Sequence, residues 1–97
     1  MAQSLVSVQI IPQPANGEDP IPYINHAISV IQQAGVPYRV GPLETTIEGE
    51  LAQLLQLIPE IKDQLVQIGC KKMLAQIKVC YDENGISMNQ LTAKYDE

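Results

Sequence analysis

Apolar residues in this chain switch between two spacings, and the order of the switches restricts the fold more than any other feature. A strand sends alternate side chains to opposite faces, whereas a helix returns to one face every three or four residues. Residues 4–11 alternate and are rich in β-branched side chains. Val6, Val8 and Ile10 share one face; Leu5, Ser7, Gln9 and Ile11 share the other. Pro12 and Pro14 end this strand, Asn16-Gly17 marks a turn, and Asp19-Pro20 reads as a helix start. Ile24, Ala27, Ile28, Ile31 and Ala34 then recur at helical spacing until Gly35. Residues 37–40 and 43–48 read as two further strands separated by Gly41-Pro42. From Glu50 a helical stripe runs through Leu51, Leu54, Leu55, Ile58, Ile61, Leu65 and Ile68 and stops at Gly69. Residues 71–81 form a fourth strand, with Met73, Ala75, Ile77 and Val79 on one face. After a turn at Asp82-Glu83-Asn84-Gly85, residues 86–94 predict an extended piece and a small covering helix.

The resulting order is βαββαβ plus a tail. It predicts an α+β ferredoxin-like sandwich: a four-stranded antiparallel sheet with two helices on one face and a short C-terminal extension. The 97 residues make a single domain, with 86–97 as the extension. Pro59 lies inside the second helical stripe, so a kink or break is expected one turn before it. The sheet face turned away from the helices carries Leu5, Ser7, Gln9, Ile11, Thr46, Glu48, Leu74, Gln76, Lys78 and Cys80. That mixture is too apolar for a solvated face. It predicts that subunits pair through this face or its edges, as a homodimer or homotetramer.

Composition removes several classes of function. With no Phe or Trp the core rests on Ile, Val and Leu, and so short a chain gains from self-association. A net charge of −5 with no basic stripe argues against nucleic acid. No apolar run approaches the roughly 18 residues that span a membrane. The start Met1-Ala2-Gln3-Ser4 lacks a basic leader, so the cytoplasm is the expected compartment. Cys70 and Cys80 match no common zinc spacing and are expected to be reduced packing residues. His26 is the single histidine, expected on the first helix near the edge of its apolar stripe, and no metal site or Ser-His-Asp arrangement is expected. Neither catalysis nor a cofactor is anticipated.

The densest polar chemistry lies in residues 40–50, Val-Gly-Pro-Leu-Glu-Thr-Thr-Ile-Glu-Gly-Glu. Alternation puts Glu44, Thr46 and Glu48 on one face and Thr45 and Ile47 on the other. Placed donors and acceptors in an otherwise apolar wall are how a small-molecule site is furnished. Glu50 suits the start of the following helix, while Glu48 points back onto the sheet. Tyr38, beside this strand, either stacks on a flat ring or fills core.

These residues carry a resemblance. Val40-Gly41-Pro42 followed by Thr45-Thr46-Ile47-Glu48-Gly49-Glu50 is similar to the signature of a family of small bacterial and archaeal thiamine-binding proteins. Gln9-Ile10-Ile11-Pro12, Ala34-Gly35-Val36-Pro37-Tyr38, Ile77-Lys78-Val79-Cys80-Tyr81 and Gly85-Ile86-Ser87-Met88 extend the similarity over almost the whole chain. The resemblance implies a ferredoxin-like fold, dimers or tetramers, and non-catalytic binding of thiamine or its hydroxymethylpyrimidine half. Carried over by position, it implies ligand contacts from Thr45, Thr46 and Glu48, then Ser7 and Gln9, then Tyr38. Thr hydroxyls and a carboxylate match the donor and acceptor edge of an aminopyrimidine, and a carboxylate favours the thiazolium cation. Glu44 stands where the family more often has a small or amide residue, and Pro59 departs from its second helix. A ligand-responsive regulatory or assembly module without thiamine binding is the competing expectation.

Overall fold

The computed structural model describes residues 2–95. The chain runs β1 (Ser4–Pro12), α1 (Ile21–Gln33), β2 (Tyr38–Val40), β3 (Thr45–Gly49), α2 (Leu51–Leu55), α3 (Leu57–Gln67), β4 (Met73–Tyr81) and α4 (Met88–Thr92), with a 3-10 turn at Ala15–Gly17. The strands form one antiparallel sheet in the order β2-β3-β1-β4. This is the expected ferredoxin-like α+β sandwich, with α1, α2 and α3 on one sheet face. The opposite face is called the open face below.

Local chemistry accounts for the element ends. Asn16 adopts the left-handed conformation at φ 59°, as an Asn-Gly turn allows. Asp19 Oδ1 accepts the Ile21 N–H at 3.0 Å, satisfying one of the donors at the α1 start. Glu50 caps α2 by accepting the Gln53 N–H at 3.1 Å. The helix break expected before Pro59 falls at Gln56, between α2 and α3. Pro59 has no N–H to offer the Leu55 carbonyl, so the ladder is interrupted there, and the proline sits in the first turn of α3 where that loss costs least. Leu54, Leu57, Ile61 and Leu65 face the core, whereas Leu55 and Ile68 of the expected stripe are exposed.

The core joins Val6 and Val8 of β1 and Ile47 of β3 to Ala27, Val30 and Ile31 of α1 and to the α2–α3 stripe. Cys70 packs into it, with its Sγ–H donated to the Lys72 carbonyl at 3.2 Å. Cys80 is exposed, so only one of the two cysteines fills the expected packing role. It lies on an edge strand, which has sheet on one side alone. His26 lies mid-way along α1, part-exposed, with its Nε2 3.0 Å from Gln64 Oε1.

Two differences from the expected fold bear on function. The third strand starts at Thr45, not Leu43, because the Gly41 N–H donates to the Glu44 carbonyl at 2.9 Å and closes a hairpin with Pro42 and Leu43 at its tip. A Cβ at Gly41 would lie 2.9 Å from that carbonyl oxygen, so the closure requires glycine. The second concerns the expected covering helix, α4: it folds back over the open face, which was expected to be free for subunit pairing, and covers Leu5 there.

Candidate functional site

Six residues were expected to contact a ligand, and the strand register sorts them into two groups. Ser7 of β1 opposes Thr46 of β3 and Lys78 of β4, and Thr46 opposes Arg39 of β2. Opposed residues share a face. The open face therefore carries the row Arg39–Thr46–Ser7–Lys78 across all four strands, with Gln9 and Glu48 in neighbouring rows. Thr45 opposes Val8, and Tyr38 opposes Ile47. Both lie on the helix side, where Val8 and Ile47 are core. Thr45 and Tyr38 thus share no side of the sheet with Ser7, Thr46 and Glu48. Tyr38 is 40% exposed on the outer strand, so it does not fill core.

The hairpin at residues 41–44 stands between two clefts, one on each side of the sheet. The helix-side cleft, about 190 Å³, has Val8 and Ile10 of β1 as one wall and Ile24, Ala27, Ile28 and Ile31 of α1 as the other. Residues 41–45 form its rim. Ser4 and Thr45 are polar residues buried as a whole; Thr45 lines this cleft, and Gln9 of β1 lines it too. The open-face cleft, about 310 Å³, is bounded by Arg39, the same hairpin and Thr46. Glu44 borders both clefts.

Charge on the open face is arranged by hydrogen bonds. Lys78 Nζ lies 3.2 Å from Glu44 Oε1. The Ser7 hydroxyl is shut off from water and completes no hydrogen bond of ordinary geometry. It nevertheless lies close enough to the Glu44 carboxylate to be the main influence holding that group below its usual range, with Lys78 second. Replacing Lys78 with Met should raise the Glu44 titration midpoint toward the ordinary carboxylate range, read by side-chain carboxyl NMR. An unmoved midpoint would mean that the Ser7 hydroxyl alone sets it.

Glu48 also anchors the C-terminal segment. Its Oε1 accepts the Met88 N–H at 2.8 Å and so holds the first residue of α4. Arg39 holds the other side of that helix, donating to Thr92 Oγ1 at 2.8 Å and to Asn89 Oδ1 at 3.1 Å. Leu5, Met88 and Leu91 then wall an apolar cleft of about 300 Å³ under α4, with Arg39, Thr46 and Thr92 at its edges. The role of Arg39 had no signal of its own in the sequence, since its partners lie 50 and 53 residues away. Among the described residues, no group of three or more His, Cys, Asp or Glu side chains is placed to hold a metal ion, and no helix is long and apolar enough to cross a membrane.

Comparison with known proteins adds sequence and structural relatives. A family model described as thiamine-binding protein matches residues 6–96. A UPF0045 protein of Clostridium perfringens is 32% identical over 92 residues, spanning 93% of this chain and 94% of its own. Among solved structures, a domain of unknown function from Bacillus cereus superposes with a TM-score of 0.90 at 33% identity, covering 99% of this chain and 92% of its own. A Thermotoga maritima protein provisionally assigned to thiamine biosynthesis or salvage superposes with a TM-score of 0.87 at 30% identity, covering 97% and 99%.

Proposed function

The chain belongs to the thiamine-binding protein family, and on that premise we propose that it is a non-catalytic binder of thiamine that takes the vitamin by its hydroxymethylpyrimidine half, and that it works as an oligomer. The observation that carries this reading is the helix-side cleft: an apolar slot with one buried hydroxyl, that of Thr45, on its wall. A heteroaromatic ring between Val8 and Ile10 on one side and α1 on the other would bury its faces against aliphatic carbon. The Thr45 hydroxyl can donate to a ring nitrogen or accept from an amino group. At about 190 Å³ the slot suits one ring better than the whole vitamin. The thiazolium would lie at the hairpin rim, toward the carboxylate of Glu44. The cleft offers Thr45, Gln9 and the Glu44 rim among aliphatic walls, an arrangement suited to holding a ring.

Calorimetric titration with thiamine and, in parallel, with hydroxymethylpyrimidine tests the reading. One ligand per chain is expected, with hydroxymethylpyrimidine retaining most of the affinity. Thr45→Val keeps the β-branched shape and removes the hydroxyl, so the dissociation constant should rise about three- to tenfold, the worth of one hydrogen bond. An unchanged constant removes Thr45 from the site. Absence of heat and of any thermal shift with both ligands would overturn the binder reading and favour a regulatory or assembly module.

A further inference from the structure

Ser4 and Thr45 are both buried polar residues, and they line different cavities at opposite ends of the β1–β3 pair. Ser4 shares the helix-side face of β1 with Val6 and Val8, so a hydroxyl stands where alternation calls for an apolar side chain. Ser4 is 1% exposed, and its hydroxyl has no hydrogen-bond partner among the described residues. It is not sealed in, as the Ser7 hydroxyl is, but opens onto a cavity of about 410 Å³, more than twice the helix-side cleft. In the strand register Ser4 lies between Gly49 of β3 and Tyr81 of β4. Tyr81 and Leu51 form walls, and Glu50 and Glu83 are the charged residues that line the cavity. The frame is fixed by hydrogen bonds. Gln3 Nε2 donates to the Glu83 carbonyl at 2.9 Å, and the Asn84 N–H donates to Asp82 Oδ1 at 2.9 Å. Glu50 Oε2 accepts the Gln53 N–H, and a carboxylate keeps capacity for further donors. Gly49 and Glu50, the end of the motif in residues 40–50, thus belong to this cavity and not to the helix-side cleft.

We propose that this cavity is a second ligand site, separate from the helix-side cleft, and that it takes a small organic cation carrying N–H donors: a protonated amine or amidine on a flat, apolar body. The Ser4 hydroxyl accepts one N–H at the floor. The carboxylates of Glu50 and Glu83 favour the positive charge and accept from it at the rim, and with no basic residue lining the cavity they disfavour anions. The Tyr81 ring, 60% exposed, offers its face to the cation or to the flat body. Burial of an otherwise unpaired hydroxyl disfavours folding relative to Ala at the same position, and a ligand N–H relieves that penalty. The charged ring of thiamine carries no N–H, so the ligand class differs from that of the helix-side cleft. The inference is therefore independent of the thiamine reading.

NMR titration of the full chain with benzamidine, and with benzamide as its neutral isostere, tests the proposal. Benzamidine should shift the amides of Ser4, Gly49, Leu51 and Gly85 saturably. Benzamide has the shape without the charge and should bind at least about fivefold more weakly. Ser4→Ala removes only the hydroxyl and should raise the benzamidine dissociation constant about three- to tenfold. Glu50→Gln and Glu83→Gln should each raise it about two- to fivefold, and added salt should weaken it further, as exposed carboxylates require. The Gln at position 50 keeps an oxygen for the Gln53 N–H, and Glu83 lies on an exposed turn, so both variants should keep the melting temperature of the unaltered chain. Thr45→Val should leave benzamidine binding unchanged while weakening thiamine, so failure here and failure of the thiamine reading are distinguishable. Equal affinity for benzamide overturns the proposal. So does the absence of any saturable shift, or shifts confined to Val8, Ile28 and Thr45 of the helix-side cleft. A constant unmoved by Ser4→Ala and by the two glutamine variants together overturns it as well.

Discussion

Leu54→Ala is expected to lower the stability of this protein by about 2–5 kcal/mol, the range for emptying a fully buried leucine site. Leu54 is completely buried and is the one buried residue of α2. It is therefore the contact through which that short helix docks on the sheet. The backbone beneath it has little room to relax: a Cβ at Gly49 would come within 3.2 Å of Leu54 Cδ2. In a domain of this size each kcal/mol moves the melting temperature by about 4–8 °C, so a fall of roughly 10–30 °C is anticipated in a calorimetric or circular-dichroism melt. Total stabilities of about 5–15 kcal/mol leave such a variant near the limit of folding. A loss under about 5 °C would show that α2 is not anchored through this residue. The motif strand and α2 adjoin at Gly49 and Glu50, so the same variant should also weaken the ligand cleft indirectly.

Glu48→Ala should release α4 while leaving the sheet intact. The carboxylate accepts the Met88 N–H at 2.8 Å, a charge-assisted bond of about 1.5–3 kcal/mol. A five-residue helix cannot persist alone, because nucleation consumes more freedom than one turn of hydrogen bonds returns. The Arg39 contacts to Asn89 and Thr92 would be left to hold it. Hydrogen exchange should show the Met88 amide losing protection by about ten- to a hundredfold, with Leu5 newly exposed beneath it and the β1 and β3 amides unchanged. Were Glu48 instead a ligand contact, thiamine affinity would fall while the protection of α4 stayed constant. The two outcomes separate a residue that positions the C-terminal segment from one that binds.

Much of the site was legible from spacing, and the limits of that reading have identifiable causes. Period-two alternation correctly set Thr46 and Glu48 on one face with Thr45 and Ile47 on the other, and the register confirms that both threonines cannot serve one cleft through their side chains. The same pattern could not say which of the two faces would be concave. Concavity on the helix side depends on α1 standing off the sheet at the hairpin, and on the open side on the hairpin itself and, beneath Met88 and Leu91, on α4. Leu43 and Glu44 read as strand because β-like residues continue into them, whereas the Gly41 closure turns them into a hairpin tip. The α2–α3 stripe was correct in kind but drawn too wide: Leu55 and Ile68 are exposed, and Leu57, outside the expected stripe, is buried.

The sequence alone determined the order of elements, the face of each strand residue, the break before Pro59 and the family signature in residues 40–50. All of these are local: backbone geometry repeats every two residues in a strand or about 3.6 in a helix, and proline acts on its own turn. Tertiary structure alone decided which of those faces would be covered. Leu5 is buried by a helix that begins more than eighty residues later, and Glu48 and Arg39 acquire their partners from that same helix across forty to fifty-three residues. β4 alternates as regularly as β1, yet β1 is covered and β4 is bare, because a side chain's burial depends on what packs against it and not on its own periodicity.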